Sequence, residues 1–405
     1  MKWPDLPGRL SLLCALALIA VFGCSGPETV DSQSEKAPPG GGVRLQAVLG
    51  DAQIAADFAR ASPEVRLQFP QDHGPHPQFR SEWWYLTLML EDSQGNEYGG
   101  QFTLFRQALA AGREARADNP WDAAQVYLAH LAATDVAGGR HRFAERISRS
   151  HPELAGVLAQ PFAAWLENWR LASRGAAFLP LTLHAAADSF AWDLALDSTR
   201  PLVQQGHSGY SAKGPGQGSH YYSLTRLQAQ GKLSLDGRAV AVHGSGWLDR
   251  EWSTSVLSAG QQGWDWFALQ LRDGRDLMMF RLRRDDCDRD PYDHGVLVDA
   301  EGRSQRLDAE QFTLTPLREW RGPEHAALVP VAGCKVAADA SRSPGHGPWP
   351  LEWQLQLGNE QFRIRAALLD QRMRTSVQYW EGLVHVYDAA GETQLGRGYM
   401  ELTGY

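Results

Sequence analysis

HGSGWLDREWSTSVLSAGQQGWDWFALQL, residues His243 to Leu271, sets two aromatic runs on either side of a polar turn. In an extended chain alternate side chains point to opposite faces, so Trp247, Asp249 and Glu251 share one face and Leu248, Arg250 and Trp252 the other. One carboxylate therefore stands among indole rings. After the turn from Ser253 to Gly263, Trp264, Trp266 and Ala268 alternate with Asp265, Phe267 and Leu269, the pattern of a strand buried on one or both faces. The stretch reads as the join between two β units and as the place of function.

Composition agrees with a β-rich globular chain. The 405 residues include 15 Trp, 40 Gly and 22 Pro, with 21% charged residues, a balance that favours many strands and turns over a helical bundle or a disordered chain. The net charge of −8 and the lack of a basic cluster argue against nucleic acid as a partner.

At the N-terminus Lys2 and Arg9 precede the apolar run Leu10 to Phe22, too short to span a bilayer, which ends in Gly23-Cys24. Residues 1–23 are read as an export signal. Gly23-Cys24 resembles the bacterial lipobox, which implies lipidation of Cys24 and, with Ser25 next, an outer-membrane anchor facing the periplasm; the alternative is a plain cleaved signal and a free periplasmic protein. Residues 24–63, rich in Ser, Pro and Gly, form a flexible linker. Two cysteines remain, Cys287 and Cys334, and an oxidising compartment would let them pair or leave them as two thiols.

Further along, Asp72, His73 and His76 are of metal-ligand type, but no fourth ligand follows at a zinc-site spacing, so no metal is assigned. The imidazoles of this Pro-rich loop are expected to bond backbone groups across a barrel mouth. A short helix is plausible only around Pro152 to Gly156. Gly206 to Ser219 reads as a flexible loop; its KGPGQGS lacks the Gly-Lys-Ser/Thr ending of a phosphate cradle, and no cofactor is expected. Nor does any serine sit in a nucleophile elbow at Gly206-His207-Ser208-Gly209.

An internal repeat organises the rest. Glu82-Trp83-Trp84, a turn and Phe102 to Arg106 match Asp265-Trp266-Phe267, a turn and Phe280 to Arg284. His220-Tyr221-Tyr222 and Trp247-Leu248-Asp249 match Gln378-Tyr379-Trp380 and Tyr399-Met400-Glu401. Two copies of a many-stranded unit, each opening and closing on an aromatic strand, predict two antiparallel barrels whose first and last strands pair and so remove the sheet edges.

FPQDHGPHPQFRSEWWY, HYYSLTRL, GSGWLDREWSTS, QQGWDWFALQL, YWEG and GRGYMELTGY together resemble one family, the lipocalin-like proteins that include the carotenoid 1,2-hydratases (hydroxyneurosporene synthases) and the AttH-type secreted proteins encoded with ABC-transporter permeases. The resemblance runs from about Leu67 to Tyr405. It implies an all-β protein of two lipocalin-like (calycin) antiparallel β-barrel domains packed together, residues 64–254 and 255–405, with an apolar ligand such as a lipid or isoprenoid. Trp83, Tyr85, Trp264 and Trp266 are the expected ligand contacts. Carried over from the hydratases, His220 and Tyr222, then Trp247 and Asp249, are the expected catalytic set, lining one barrel interior; Trp247 stands where the hydratases tend to have Tyr.

The chemistry is coherent without the family. Hydrating an isolated alkene needs an acid, and a carboxyl kept neutral by apolar surroundings, here Asp249, can supply the proton. Trp247 and Tyr222 would face the cation and His220 the attacking water. The plainer reading makes Asp-Arg-Glu-Trp an ion-pair network at a barrel rim, with Asp249 and Glu401 both fixing strand ends. Two functions follow: an envelope lipoprotein that carries an apolar ligand, beside ABC-transporter components, and a lyase that adds water to a C=C bond.

Replacing the lipidation residue tests the anchor. Cys24→Ser is expected to move the protein from the membrane pellet to the soluble periplasmic fraction, as read by immunoblot after osmotic shock; an unchanged pellet fraction would rule out lipidation at Cys24.

Overall fold

The computed structural model describes residues 57–111, 124–254, 257–258, 260–331 and 347–405. Among these residues there is no α-helix; the chain forms the 3-10 turns Gln71–His73 and Ala309–Gln311 and two antiparallel sheets. The first holds β1 (Ser81–Glu91), β2 (Glu97–Ala108), β3 (Gln125–Asp135), β4 (Arg140–Arg149), β5 (Ala155–Ala159), β6 (Phe162–Leu166), β7 (Trp169–Ser173), β8 (Leu181–Ala186), β9 (Phe190–Asp197), β10 (Val203–Gln204), β11 (Tyr210–Gly214), β12 (Gln217–Leu235) and β13 (Arg238–Ser253). The second holds β14 (Gln261–Leu271), β15 (Asp276–Arg284), β16 (His294–Val298), β17 (Ser304–Asp308), β18 (Phe312–Trp320), β19 (Val329–Pro330), β20 (Trp349–Leu357), β21 (Glu360–Ala366), β22 (Arg372–Arg374), β23 (Gln378–Tyr387) and β24 (Gln394–Thr403).

Both sheets follow one plan. In space the first runs β4-β3-β2-β1-β13-β12-β9-β8-β7-β6-β5, with β10 and β11 against β12. Its two ends, β4 and β5, are consecutive in the chain, and β6 packs across β2, β3 and β4, so the sheet curls into a nearly closed barrel. The second runs β17-β16-β15-β14-β24-β23-β21-β20-β18-β19, with β22 on β23. The expected pairing of first with last strand forms in each half, β1 with β13 and β14 with β24. It sits at the middle of each sheet, however, and the edges move to β4 and β5 and to β17 and β19 instead of vanishing.

Two local expectations are overturned. Pro152 to Gly156 is a turn entering β5, not a helix, because Ala155 and Val157 bury on the barrel wall and Gly156 lies under Trp165, where a Cβ would come within 2.8 Å of the ring. Gly206 to Ser219 is not a free loop; it holds β11, which turns back at Gly214 into β12.

Strands far from the join show one-sided burial. In β9, Phe190, Trp192, Leu194 and Leu196 are buried and their alternates are not. The central strands are buried on both faces. Trp84, Leu86, Leu88 and Leu90 of β1 point into the first barrel, and Tyr85 and Met89 point into an apolar layer shared with Trp266, Ala268, Met278 and Tyr399 of the second sheet. At Gly99 the missing side chain lets β2 close on this layer, 3.1 Å from the Leu383 Cβ and 3.3 Å from the Tyr399 hydroxyl as measured from where a Cβ would stand.

One end of the first barrel is closed by the Pro/His loop through a buried ion cluster. Glu82 is fully buried and accepts from Arg106 Nε and Arg250 Nη2, from the His76 backbone N–H at 2.9 Å, and lies 3.2 Å from His76 Nδ1. Arg106 also donates to the carbonyls of His76 and Phe79 at 2.9 and 2.8 Å, and Arg250 lies 3.9 Å from the Trp84 ring centre. Burial opposes the charge on Glu82, but the two guanidiniums outweigh it and hold its carboxyl far below the usual range. The loop histidines thus bond side chains more than backbone: His76 stacks on Trp252 at 4.0 Å and reaches Asp72 at 3.1 Å, while His73 Nδ1 meets the Tyr222 hydroxyl at 2.6 Å.

Removing one member of such a cluster strands the others in a low-dielectric interior. Glu82→Gln is expected to cost about 3–5 kcal/mol of unfolding free energy, read from urea midpoints at constant slope; a loss near zero would mean the two arginines find other partners.

Candidate functional site

Strand register decides which candidates meet. Directly opposed residues of an antiparallel pair share a face. On β12 and β13 the pairs are His220 with Trp252 and Tyr222 with Arg250, then Tyr221 with Glu251 and Ser223 with Asp249. His220 and Tyr222 therefore face the first barrel's interior, and Trp247 and Asp249 face the seam between the sheets. The expectation that all four line one interior is overturned, because odd and even positions part at every strand. Arg250 likewise turns inward to Glu82, so Asp249 and Arg250 are not an ion pair.

Inside the barrel, His220 sits between Phe79 and Trp252, with ring centres 5.7 and 5.5 Å away, and its Nδ1 has no hydrogen-bond partner among the described residues. Burial brings it down to about 4. His73, stacked on Phe178 at 3.6 Å, is brought to about 4 by burial and by Arg250. Both are neutral at pH 7.

At the seam the structure gathers Asp249 and Trp247 with the four expected ligand contacts, Trp83, Tyr85, Trp264 and Trp266. Asp249 is 2% exposed and accepts from Trp247 Nε1 at 2.7 Å, from the Ser223 hydroxyl, and from the Tyr221 hydroxyl. Trp266 Nε1 donates to the Tyr221 oxygen at 3.2 Å, and the Trp266 ring meets Tyr85 edge-on at 5.2 Å. Burial pushes the Asp249 carboxyl up to about 7 against these three donors, with the charge of Glu251 adding to the rise.

Two more carboxyls share the layer. Glu381 and Glu401 are directly opposed on β23 and β24. Tyr85 donates to Glu381 Oε1 at 2.7 Å, and Trp264 Nε1 to Glu401 at 3.2 Å. Burial and the neighbouring carboxyl push Glu381 well above its ordinary range; burial raises Glu401 to about 8, with Asp249 and Glu251 adding to it. Glu401, Trp83 and Trp264 keep partial exposure and mark the rim. At this rim Lys213 is bonded to Glu251 and lies 5.6 Å from the Trp83 ring centre.

Sequence reasoning missed Tyr221, Ser223 and Glu381. Glu401 was visible as the repeat partner of Asp249, and register confirms that match: Asp249 faces Tyr85 and Glu401 faces Trp266. The same pairs make Tyr85 the counterpart of Trp266, two positions from the Trp83 match that the sequence suggests. Cys287 is disulfide-bonded; Cys334 and Cys24 lie outside the described residues.

A family model described as AttH-like matches residues 60–342 and 333–405. A crystal structure assigned as an AttH from Nitrosomonas europaea is 31% identical, covers 86% of this chain and 100% of its own, and superposes with a TM-score of 0.71. Kievitone hydratase from Nectria haematococca is 15% identical over 86% of this chain and 96% of its own, with a TM-score of 0.57. CghA with Sch210972 is 12% identical over the same shares, with a TM-score of 0.50. The last two share the fold. No curated protein matches the chain.

A carboxyl raised from 3.8 to about 7 makes stability depend on pH in a fixed direction. The folded state holds this proton more tightly, so its stabilising contribution is complete below the unfolded value and is lost as pH rises through the folded one. Asp249→Asn removes the dependence. Wild type is therefore expected to lose stability relative to Asp249→Asn between about pH 4 and pH 7 in parallel urea titrations; a difference that stays flat, or grows the other way, would mean Asp249 is ionised throughout.

Proposed function

The chain belongs to the AttH-like family, and from that premise we propose that it takes up an apolar small molecule, a lipid or isoprenoid, at the seam between its two barrels. The observation that carries this reading is the rim itself: Trp83 and Trp264 stand half-exposed over a layer where Trp247, Trp266 and Tyr85 surround carboxyls that have little cationic compensation. Indole faces give apolar contact, and Asp249, Tyr221 and Glu401 offer polar ends that orient a ligand. With the export signal and Cys24 of the sequence, the protein would act as an envelope lipoprotein, at the outer membrane facing the periplasm and beside an ABC-type exporter.

The raised Asp249 carboxyl favours a second reading, a hydro-lyase. At neutral pH a share of Asp249 carries the proton that an alkene carbon would take, and Trp266 and Tyr85 would face the cation that results, each such contact contributing roughly 0.5–2 kcal/mol. Water then adds and returns a proton. Trp247 keeps its place in this step through its bond to Asp249; His220 and Tyr222, across the sheet, do not. The shared fold of kievitone hydratase supports the class of reaction.

Mass spectrometry of organic extracts tests both. The chain lacking Met1 to Cys24 is expected to carry a lipid or polyene absent from an unrelated lipocalin fold prepared identically, and Trp264→Ala to lower its affinity by roughly tenfold. An empty extract from a well-folded sample overturns the binding reading. A hydrated product that disappears in Asp249→Asn while the ligand stays bound supports the lyase; a product that persists removes Asp249 as its acid.

A further inference from the structure

At the edge of the seam lies a serine–histidine pair that neither reading uses. Ser211 on β11 directly opposes Ser219 on β12, and Ser219 is two residues before Tyr221, so all three side chains stand on the seam side of the first sheet. His294 opens β16 of the second sheet, and its Nε2 lies 3.1 Å from the Ser211 hydroxyl. Its Nδ1 lies 3.0 Å from the Tyr292 carbonyl oxygen. A carbonyl can only accept, so Nδ1 carries the proton and Nε2 is the bare nitrogen. The Ser211 hydroxyl therefore donates to His294. Burial brings His294 down to about 4, which leaves the ring neutral and the Nε2 lone pair available at pH 7.

A serine bonded to a base, and a base whose ring and tautomer are held by a third group, is the order of groups that activates a hydroxyl as a nucleophile. A fourth part stands beside it. Ser219 is fully buried, and its Oγ has no hydrogen-bond partner among the described residues. An unpaired hydroxyl in a dry layer costs stability, whereas a donor next to a nucleophile can take the negative oxygen that forms when a carbonyl is attacked. Ser211 and His294 are 1% and 3% exposed, and aromatic contacts join them to the rim. The Phe280 ring centre lies 5.4 Å from that of His294, 6.5 Å from that of Trp264 and 5.3 Å from Lys213 Nζ, whose side chain is 19% exposed. An apolar chain laid across Trp264 and Phe280 would bring its end to the pair.

We propose that Ser211 and His294 form an acyl-transfer dyad that hydrolyses carboxylic esters of apolar acyl chains, with Ser219 as donor to the oxyanion. The activity is independent of Asp249 and rests on the seam reading only for the seat of the chain. Ser211 Oγ attacks the ester carbonyl carbon, and its proton passes to His294 Nε2. The carbon–oxygen bond to the alcohol then breaks, and the alcohol leaves with the Nε2 proton. Water gives a proton to His294 as it attacks the acyl-serine; the carboxylic acid leaves, and that proton returns to Ser211.

A decyl fluorophosphonate, which phosphonylates activated serines with loss of fluoride, tests the dyad on the full-length protein. Peptide mass spectrometry is expected to find the adduct on Ser211, and p-nitrophenyl octanoate to be hydrolysed about tenfold or more faster than the acetate. His294→Gln can still accept from Ser211 but takes up no proton; it is expected to keep the melting temperature and slow labelling by roughly a hundredfold. Ser219→Ala removes a hydroxyl that holds no other group, so it too is expected to keep the melting temperature while slowing hydrolysis by roughly a hundredfold. Ser211→Ala is expected to abolish hydrolysis and serves where His294→Gln lowers the melting temperature. An unlabelled Ser211, hydrolysis unchanged in Ser211→Ala, or labelling as fast as wild type in a stable His294→Gln overturns the dyad. Equal rates on octanoate and acetate overturn the apolar acyl chain, and a wild-type rate in Ser219→Ala removes Ser219 as the donor. None of these outcomes bears on the lipid extract or on product formation in Asp249→Asn, so the carrier and hydration readings fail separately.

Discussion

Burial of the central strands on both faces governs most of what this molecule does. A strand at a barrel wall ordinarily keeps one face for solvent, and its polar residues go there. Here β1, β13, β14 and β24 press their outer faces against one another, so side chains that would be solvated enter a dry layer. Large aromatic rings fill that layer, which accounts for tryptophans beyond the needs of either barrel interior. Carboxyls on the same positions are then forced to find donors or stay protonated.

The chain shows both outcomes with one kind of group. Glu82, inside the first barrel, lies between two guanidiniums and is held ionised. Asp249, Glu381 and Glu401, at the seam, meet indole N–H groups and hydroxyls, and burial prevails over those neutral donors. A guanidinium supplies charge as well as hydrogen bonds; a hydroxyl supplies the bond alone. Cations thus give one end of the barrel a structural clasp, and around Asp249, Glu381 and Glu401 neutral donors leave burial to keep the carboxyls raised.

The two halves have kept a plan and changed its contents. Asp249 and Glu401 hold the same register position, yet Asp249 faces Ser223 across the strand pair and Glu401 faces Glu381. Serine gives Asp249 a donor, whereas Glu381 sets a second acid beside Glu401. The first half also brings His130 and Glu145 to the edge of the layer, next to Tyr379 of the second half. Neither half holds the whole set of groups.

Period-two aromatic patterning, the turn residues and the repeat were enough to give an all-β chain of two similar antiparallel barrels, because each of those signals is local or is copied within the chain. The period of two also set Trp247 and Asp249 on one face, a carboxylate among indoles legible in a linear string, while Trp83, Tyr85, Trp264 and Trp266 came from the family resemblance. These signals did not separate the barrel interior from the seam, and so placed His220 and Tyr222 with Asp249. Alternation says which residues share a face of one strand; it does not say which face of the next strand meets it. That depends on register, and a shift of one residue exchanges every side chain between the two faces. Tyr221 in place of Tyr222, the Glu381 and Glu401 pair, and the bridge from Glu145 through His130 to Tyr379 join residues up to some two hundred and fifty positions apart. Strand register brings Tyr221 to Asp249 and sets Glu381 opposite Glu401, and only the packing of one sheet on the other brings His130 within a hydrogen bond of Tyr379.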